Sequence, residues 1–459
     1  MLHTHTRLAN EVLPEEIARL IEEKRWAELS SRRVAWPDSE MVAPELVDFL
    51  LELDKEDRVL LFRALPRRLA TEVFAYLEPE PRDALLRELT DGETRQLLAN
   101  LNPDDRTGVL EELPGRVTQR LLNLLSPEDL EEARQLLGYP EESVGRLMTP
   151  DYVAVKPEWS VDRALEHIRR LGRRSETINM IYVHDDDWKL LDALPLQSFI
   201  LAKPDKTVSD IMDYSFASLR ASDDRDEAVR MMQRYDRVAL PVVDSQGILL
   251  GIVTVDDVFD VAEEEVTEDF HKSAAVTPLN RGYWQASLWN LYSSRIGWLA
   301  TLVMVSLVSS GVIGIYEEVL ESVVALAFFM PLVIGTGGNA GTQAATMMIR
   351  ALSTGDVEIR QWFRAFLREI AIGFTLGVSL GALGMVLGIF RGGYEVGLIV
   401  LLTMMVMLVI TNLLGMSLPF ILTKLGLDPA SASGPLVASI ADAIGLLVYF
   451  AIASRVLGF

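Results

Sequence analysis

Read for the placing of apolar and polar positions, the chain falls into three stretches of different period. In the first, leucine returns every 12 residues, at Leu53, Leu65, Leu77, Leu89, Leu101, Leu113, Leu125 and Leu137. Turn-forming residues follow most of them: Pro66, Glu78-Pro79, Asn102-Pro103, Pro114-Gly115 and Ser126-Pro127. Between the turns lie short runs of helical period, such as Arg95 to Leu101 and Arg106 to Leu113. This pattern predicts a stack of two-turn helices, none able to bury its apolar stripe alone, wound into a superhelix over residues 1–140. Such a domain reads as a docking surface.

The second stretch, about 141–262, repeats itself. Met148 aligns with Met212, Ser160 with Asp224, and Ala164-Leu165 with Ala228-Val229, all at a shift of 64. The shift becomes 59 where Ile181-Tyr-Val-His-Asp185 matches Leu240-Pro-Val-Val-Asp244. Each copy reads strand, helix, strand, turn, strand, helix, and Asp244-Ser-Gln-Gly247 is a hairpin signal. An acidic run from Thr254 to Lys272 follows, with Asp257, Asp260, Glu264 and Glu268 on one helical face. The segment 263–294 then leads to the third stretch.

That stretch, 295–459, holds five apolar runs, roughly 296–316, 322–349, 367–390, 396–422 and 435–457. Each has about the 20 residues a helix needs to cross a bilayer. Loop charges set the expected orientation. With the N-terminus inside, the first loop is outside and carries Glu317, Glu318 and Glu321 but no base. The second is inside with Arg350, Arg360, Arg364 and Arg368, and the third is outside with Arg391. This follows the positive-inside rule and puts the C-terminus outside. The fold class expected is therefore multi-domain: an all-α superhelical N-terminal domain, an α/β tandem pair, and a five-helix transmembrane domain. No apolar core of signal-peptide length opens the chain, so the N-terminal part is expected in the cytoplasm.

Charge changes this picture in one respect. The net charge is −23, of which −22 lies before Arg295, where 57 acids face 35 bases. Such acidity argues against nucleic acid and against docking on anionic lipid. It suits either simple solubility or the binding of hard cations. With no cysteine and five histidines, all ahead of the first apolar run, a soft-metal site is not expected; the histidines read as isolated surface residues.

Two features inside the apolar runs point to ions. Asp442 lies eight residues beyond Gly434, about 12 Å along a helix, near mid-membrane, where a carboxylate is costly unless it meets water or a cation. In the second run, Gly335-Thr-Gly-Gly-Asn339, with Gly341, Thr342 and Gln343 beyond it, allows two readings. Broken backbone could line a cavity and offer carbonyls to a hydrated cation, or the small residues could pack helices tightly. No nucleophile–base pair or phosphate-cradling loop appears, so an enzyme is not expected.

The order of parts and several stretches resemble the MgtE family of magnesium channels. The stretches are Gly335-Thr-Gly-Gly-Asn339, Gly251-Ile-Val-Thr-Val-Asp-Asp257, Thr267-Glu-Asp-Phe-His-Lys272, Leu427-Asp-Pro-Ala430, and Pro435-Leu-Val-Ala438 followed by Asp442. The tandem copies similarly resemble a pair of CBS domains. The resemblance implies a homodimer in the inner membrane with the ion path on its two-fold axis. Asp442 of both subunits would hold Mg²⁺ beside the Ala438 carbonyl, with Gly335, Gly338 and Asn339 nearby. It further implies a cytosolic magnesium sensor built from Glu72, Asp104, Asp236, Asp257, Asp260, Glu265, Glu268 and Asp428, with 263–294 as the connecting helix that plugs the pore. CBS pairs often hold an adenine nucleotide through an acid that this first copy lacks: Gln197-Ser198 stand where the second has Asp256-Asp257, and Asp192 stands for Gly251. Arg237 also replaces an aromatic beside that pocket, so nucleotide binding is not expected. Gly108 and Gly434 are further departures, at positions that are acidic in some relatives and Asn, respectively. Left open are a Na⁺- or H⁺-coupled exchanger, a broader Co²⁺ or Mn²⁺ transporter, and a tethered sensor without transport.

Overall fold

A computed structural model describes residues 14–29, 36–37, 42–113, 115–279, 283 and 286–458. It divides into two units, 1–262 and 263–459.

The first unit begins with short helices: α1 (Glu15–Glu22), α2 (Trp26–Leu29), α3 (Val42–Glu52), α4 (Lys55–Ala64), α5 (Arg67–Ala75), α6 (Pro79–Glu88), α7 (Asp91–Leu98), α8 (Pro103–Glu112), α9 (Gly115–Leu122) and α10 (Pro127–Leu136). From α4 onward each helix is 8–10 residues long. The periodic leucine sits where a helix stops, and the next residue stands at the N-cap position of the helix that follows. Leu65, Leu89 and Leu113 end α4, α6 and α8, while Asp54, Thr90 and Ser126 accept a backbone N–H at the starts of α4, α7 and α10. Leu65, Leu77, Leu89, Leu101 and Leu113 are buried in one core with Val73, Phe74 and Leu98. The start of a new helix and the anchor of the old one therefore occupy adjacent positions, which fixes the period.

After α11 (Val144–Leu147) come the two copies. The first runs β1 (Ala154–Val155), α12 (Val161–Leu171), β2 (Met180–His184), β3 (Leu190–Pro195) and α13 (Leu196–Leu201). The second runs β4 (Leu219–Arg220), α14 (Arg225–Tyr235), β5 (Ala239–Val243), β6 (Leu249–Thr254) and α15 (Val255–Ser273). Each sheet pairs its first strand parallel and its last strand antiparallel to the middle one. The middle strands are buried along their whole length, as strands covered on both faces must be. α15 forms over 19 residues despite the like charges spaced along it. Among the histidines, His184 departs from the surface reading: it is buried and stacked on Trp188 at 4.2 Å. His3 and His5 lie outside the described residues.

In the second unit α16 (Leu288–Ile315) is followed by α17 (Glu317–Ser322), a 3₁₀ turn at Val324–Phe329, α18 (Met330–Ser353), α19 (Trp362–Lys424) and α20 (Gly434–Leu457). Among the described residues, four helical stretches are long and apolar enough to cross a membrane. α19 counts as one of them but is 63 residues long, about three times what a bilayer core accommodates. It is bent at Gly393, whose φ of 86° and ψ of 179° are not helical. Its two arms lie antiparallel. A Cβ on Gly373 would meet Val409, one on Gly377 would meet Met405, and one on Gly381 would meet Leu401. Gly388 faces Gly397 nearest the bend. Glycine every fourth residue lets the backbones close up, which is how helices associate where lipid supplies no hydrophobic drive.

Candidate functional site

α18 and α20 meet at Gly338. A Cβ there would lie 3.3 Å from Asp442 Oδ1 and 3.4 Å from the Ala438 Cβ. Gly341 faces the Thr411 carbonyl and Val437, each at 3.1 Å. Higher on the same helices, Thr342 Oγ1 donates to the Gly434 carbonyl at 3.1 Å. Of the two readings of the glycine-rich run, the geometry fits packing at three positions: α18 is continuous from Met330 to Ser353, and Gly337, Gly338 and Gly341 are contact points. The backbone of this run is helical throughout, and the side-chain volume missing at Gly337, Gly338 and Gly341 is taken up by Met407, Asp442, Ala438, Thr411 and Val437. The carbonyls of Gly335 and Gly338 thus belong to a helix.

The polar groups of α18 take a different face. Gly335, Asn339, Gln343 and Thr346 are exposed, at successive helical spacings, while Gly337, Gly338, Ala340 and Gly341 are buried. Gly335 has open space around it. The Thr346 hydroxyl donates to the Thr342 carbonyl at 2.9 Å, but the two exposed amides on a membrane helix are unfavourable against lipid tails and call for water or protein. Thr346 was missed by the sequence reading; its spacing from Asn339 and Gln343 was the available signal.

In the first unit, Asp104 and Asp105 at the start of α8 face Asp256, Asp257 and Asp260 in the first turns of α15, together with Glu176. Asn102 Nδ2 donates to Glu176 at 2.8 Å, and Thr254 Oγ1 to Asp257 at 2.9 Å. Asp104 Oδ1 is buried without a hydrogen-bond partner. Burial first and neighbouring acids second push the Asp257 carboxyl up to about 8 and that of Glu176 to about 7. Asp104 is raised well above the ordinary value by burial and then by Asp257. Acids crowded in this way resist ionisation until a cation joins them. Asp105 and Glu176 were not among the expected sensor residues; Glu176 is far from the others in sequence, and folding alone brings it there.

The remaining expected ligands are placed elsewhere. Glu72 on α5 accepts from Arg68 at 2.8 Å. Asp236 is exposed at the end of α14 in a left-handed conformation. Glu265 is half-buried on α15. Glu268 and Asp428 both pair with Lys272, Asp428 at 2.6 Å. Partial burial works against the Lys272 charge, but these two carboxylates outweigh it and raise its pKa. Among the described residues no three acid or histidine side chains already converge on one point as a finished metal site. In the CBS-like pair, Asp192 is fully buried, and its Oδ2 accepts the backbone N–H groups of Asp213 and Tyr214 at 2.9 and 3.0 Å. The acid that replaces glycine there holds the linker between the copies.

Three family models match in the same order as these parts: the MgtE intracellular N domain over 41–142, CBS domains over 144–202 and 208–264, and MgtE, a divalent cation transporter, over 330–452. The magnesium transporter MgtE of Thermus thermophilus is 43% identical over 327 residues, which is 71% of this chain and 72% of that one.

The chain belongs to the MgtE family.

The Bacillus subtilis magnesium transporter MgtE is 37% identical over 70% of each chain. Among solved structures, the cytosolic domain of the Mg²⁺ channel MgtE in complex with ATP is 38% identical, with TM-score 0.47, and covers 48% of this chain and 90% of that one. The soluble part of a magnesium transporter is 26% identical, with TM-score 0.49, and covers 58% and 99%.

Proposed function

We propose that this MgtE-family protein is a gated channel that admits Mg²⁺ through the cytoplasmic membrane and is closed by cytosolic Mg²⁺. The observation that carries the reading is Asp442 beside Gly338, next to an exposed polar stripe on α18. Mg²⁺ gives up water reluctantly and is usually bound by one or two carboxylates with most of its hydration kept. A pair of Asp442 side chains across a two-fold axis, with amide and hydroxyl groups nearby, suits that ion. The homodimer places the polar stripe away from lipid and against water or the partner. In this reading α19 crosses twice, turning at Gly393, which gives five crossings with the N-terminal unit in the cytoplasm.

The acidic cluster is the sensor in this proposal. Cations joining Asp104, Asp257 and Asp260 stabilise a compact soluble part because they bind it better than the loosened one. Glu72, Asp236 and Glu265 add weaker sites, while Glu268 and Asp428 are engaged by Lys272. α15, which begins in that cluster and continues to Ser273, transmits the change along the chain. The CBS-like pair then has a structural task, with Asp192 holding the linker between its copies.

The test is Mg²⁺ flux into liposomes holding the full chain. Asp442→Asn keeps the shape and removes one charge per subunit, so flux should fall to background with the protein still folded. Near-normal flux would remove Asp442 from the mechanism. A reversal potential set by Mg²⁺ alone separates a channel from a Na⁺- or H⁺-coupled exchanger. Deleting residues 1–140 should leave flux that no longer closes at the internal Mg²⁺ that shuts the full chain.

A further inference from the structure

The end of α15 meets the start of α20 through one lysine. Lys272 Nζ donates to Asp428 Oδ2 at 2.6 Å and pairs with Glu268 one helical turn back. The other Asp428 oxygen accepts the Ala430 N–H at 2.8 Å and so caps the 3₁₀ turn Pro429–Ser431. Ala430 and Ala432 in and after that turn are fully buried, and α20 starts at Gly434. The Gly434 carbonyl in turn accepts from Thr342 on α18.

Nor is the lysine on a loose end. Ala275 takes a left-handed conformation, φ 57°, and Val276 N–H returns to the His271 carbonyl at 2.9 Å, closing the α15 C-terminus. Thr277 N–H then donates to the Ser294 carbonyl on α16 at 2.9 Å. The lysine side chain, 29% exposed, is fixed at both ends of its reach.

We propose that Lys272 is a tethered cation that couples the connecting helix to the pore helix, bridging Glu268 and Asp428 as a divalent ion would but without depending on its concentration. This rests on the gated-channel reading above. A cation between two carboxylates links them, and here one carboxylate belongs to α15 and the other caps the turn that launches the helix carrying Asp442. Displacement of α15 therefore reaches α20 through two hydrogen bonds and a six-residue segment. A single ammonium leaves one negative charge over, so the bridge is held without being saturated. Lys272 is a positioning residue: it touches no permeating ion.

The experiment is flux from full-length protein in liposomes with internal Mg²⁺ varied. Lys272→Met keeps the length of the side chain and removes its charge. It should conduct at zero internal Mg²⁺ like the parent, yet need about fivefold or more internal Mg²⁺ to close, the lower end of ordinary coupling energies. Lys272→Arg should close like the parent. Asp428→Asn should shift closure in the same direction, and adding it to Lys272→Met should shift closure no further, since both changes break one link. The exchanged pair Lys272→Asp with Asp428→Lys should recover part of the response. Closure of Lys272→Met at the parent's internal Mg²⁺ overturns the inference. So does a strictly additive double variant, which would make Asp428 act apart from Lys272. If Lys272→Met does not fold, the Arg variant and the exchanged pair decide alone, and failure of the exchange to restore any response counts against the link. A parent that passes no Mg²⁺ defeats the channel reading instead, so the two failures are told apart.

Discussion

The Cβ that Gly338 lacks would stand 3.3 Å from the Asp442 carboxylate. Two helices far apart in sequence are thus spaced by the absence of one methyl group, at the place where the membrane unit carries its acid. Gly338→Ala adds that methyl against Asp442 Oδ1, which can turn aside, and against the Ala438 Cβ and Cα at 3.4 and 3.6 Å, which the helix holds in place. The expected result is a folded protein with thermal stability lowered by about 1–3 kcal/mol or less and Mg²⁺ flux reduced severalfold. Unchanged flux with unchanged stability would mean that the contact has slack.

Gly337 has a different neighbour. Its missing Cβ would fall 1.8 Å from Met407 Cε, and Gly445 on α20 meets the same methyl at 2.2 Å. One methionine tip therefore fills the slot between α18 and α20. Gly337→Ala should destabilise by about 1–3 kcal/mol through overpacking, and shortening the intruder with Met407→Ala should relieve it. Unfolding in detergent of both single variants and the double one measures the coupling; simple additivity would remove Met407 from this role. Gly337→Val is accordingly expected to harm assembly more than conduction.

The hairpin of α19 yields a sharper contrast. A side chain on Gly377 would meet Met405 Cα at 2.7 Å and the Met404 carbonyl at 3.0 Å, both backbone atoms that cannot swing away. Gly377→Leu should abolish a monodisperse, folded preparation. Gly335→Ala, with nothing within 4 Å of the new carbon, should purify like the parent. Size-exclusion profiles of the two decide the matter, and equal behaviour would contradict the antiparallel packing.

The acidic cluster makes stability depend on pH in an unusual sense. Burial and Asp256 raise the Asp257 carboxyl to about 8 when folded, against an ordinary value of 3.8. A raised carboxyl contributes its full relative stability below the unfolded value and loses it as pH climbs through the folded one. Metal-free protein should therefore melt at progressively lower temperature from about pH 4 to about pH 8 as this group is forced to ionise. Mg²⁺ should restore the loss at the alkaline end, where carboxylates are ready to bind it. Asp257→Asn should flatten the profile and weaken the Mg²⁺ effect; a profile that rises with pH in the parent would refute the assignment.

Much of this was legible in the chain itself. A leucine every 12 residues announced the helical stack, because a helix of fixed length, its terminating anchor and the next cap recur together. The strand–helix order of the tandem copies and the long apolar runs followed from period and length, which are local properties. Asp442 stood out because a carboxylate in an apolar run is costly wherever the chain places it. What pairs with what could not be read in this way. The glycines of α18 gave no preference between open backbone and tight packing until Met407, Thr411 and Asp442 took up positions against them. Glu176 gave no sign of joining Asp104 and Asp257, and Lys272 read as one base in an acidic run until Asp428, 156 residues away, closed on it. Sequence determines which segments form and how polar each position is, since backbone hydrogen bonding and solvation act over a few residues. Which charges are neutralised, and which glycines are contacts, depends on distances across the fold, and tertiary packing alone sets those.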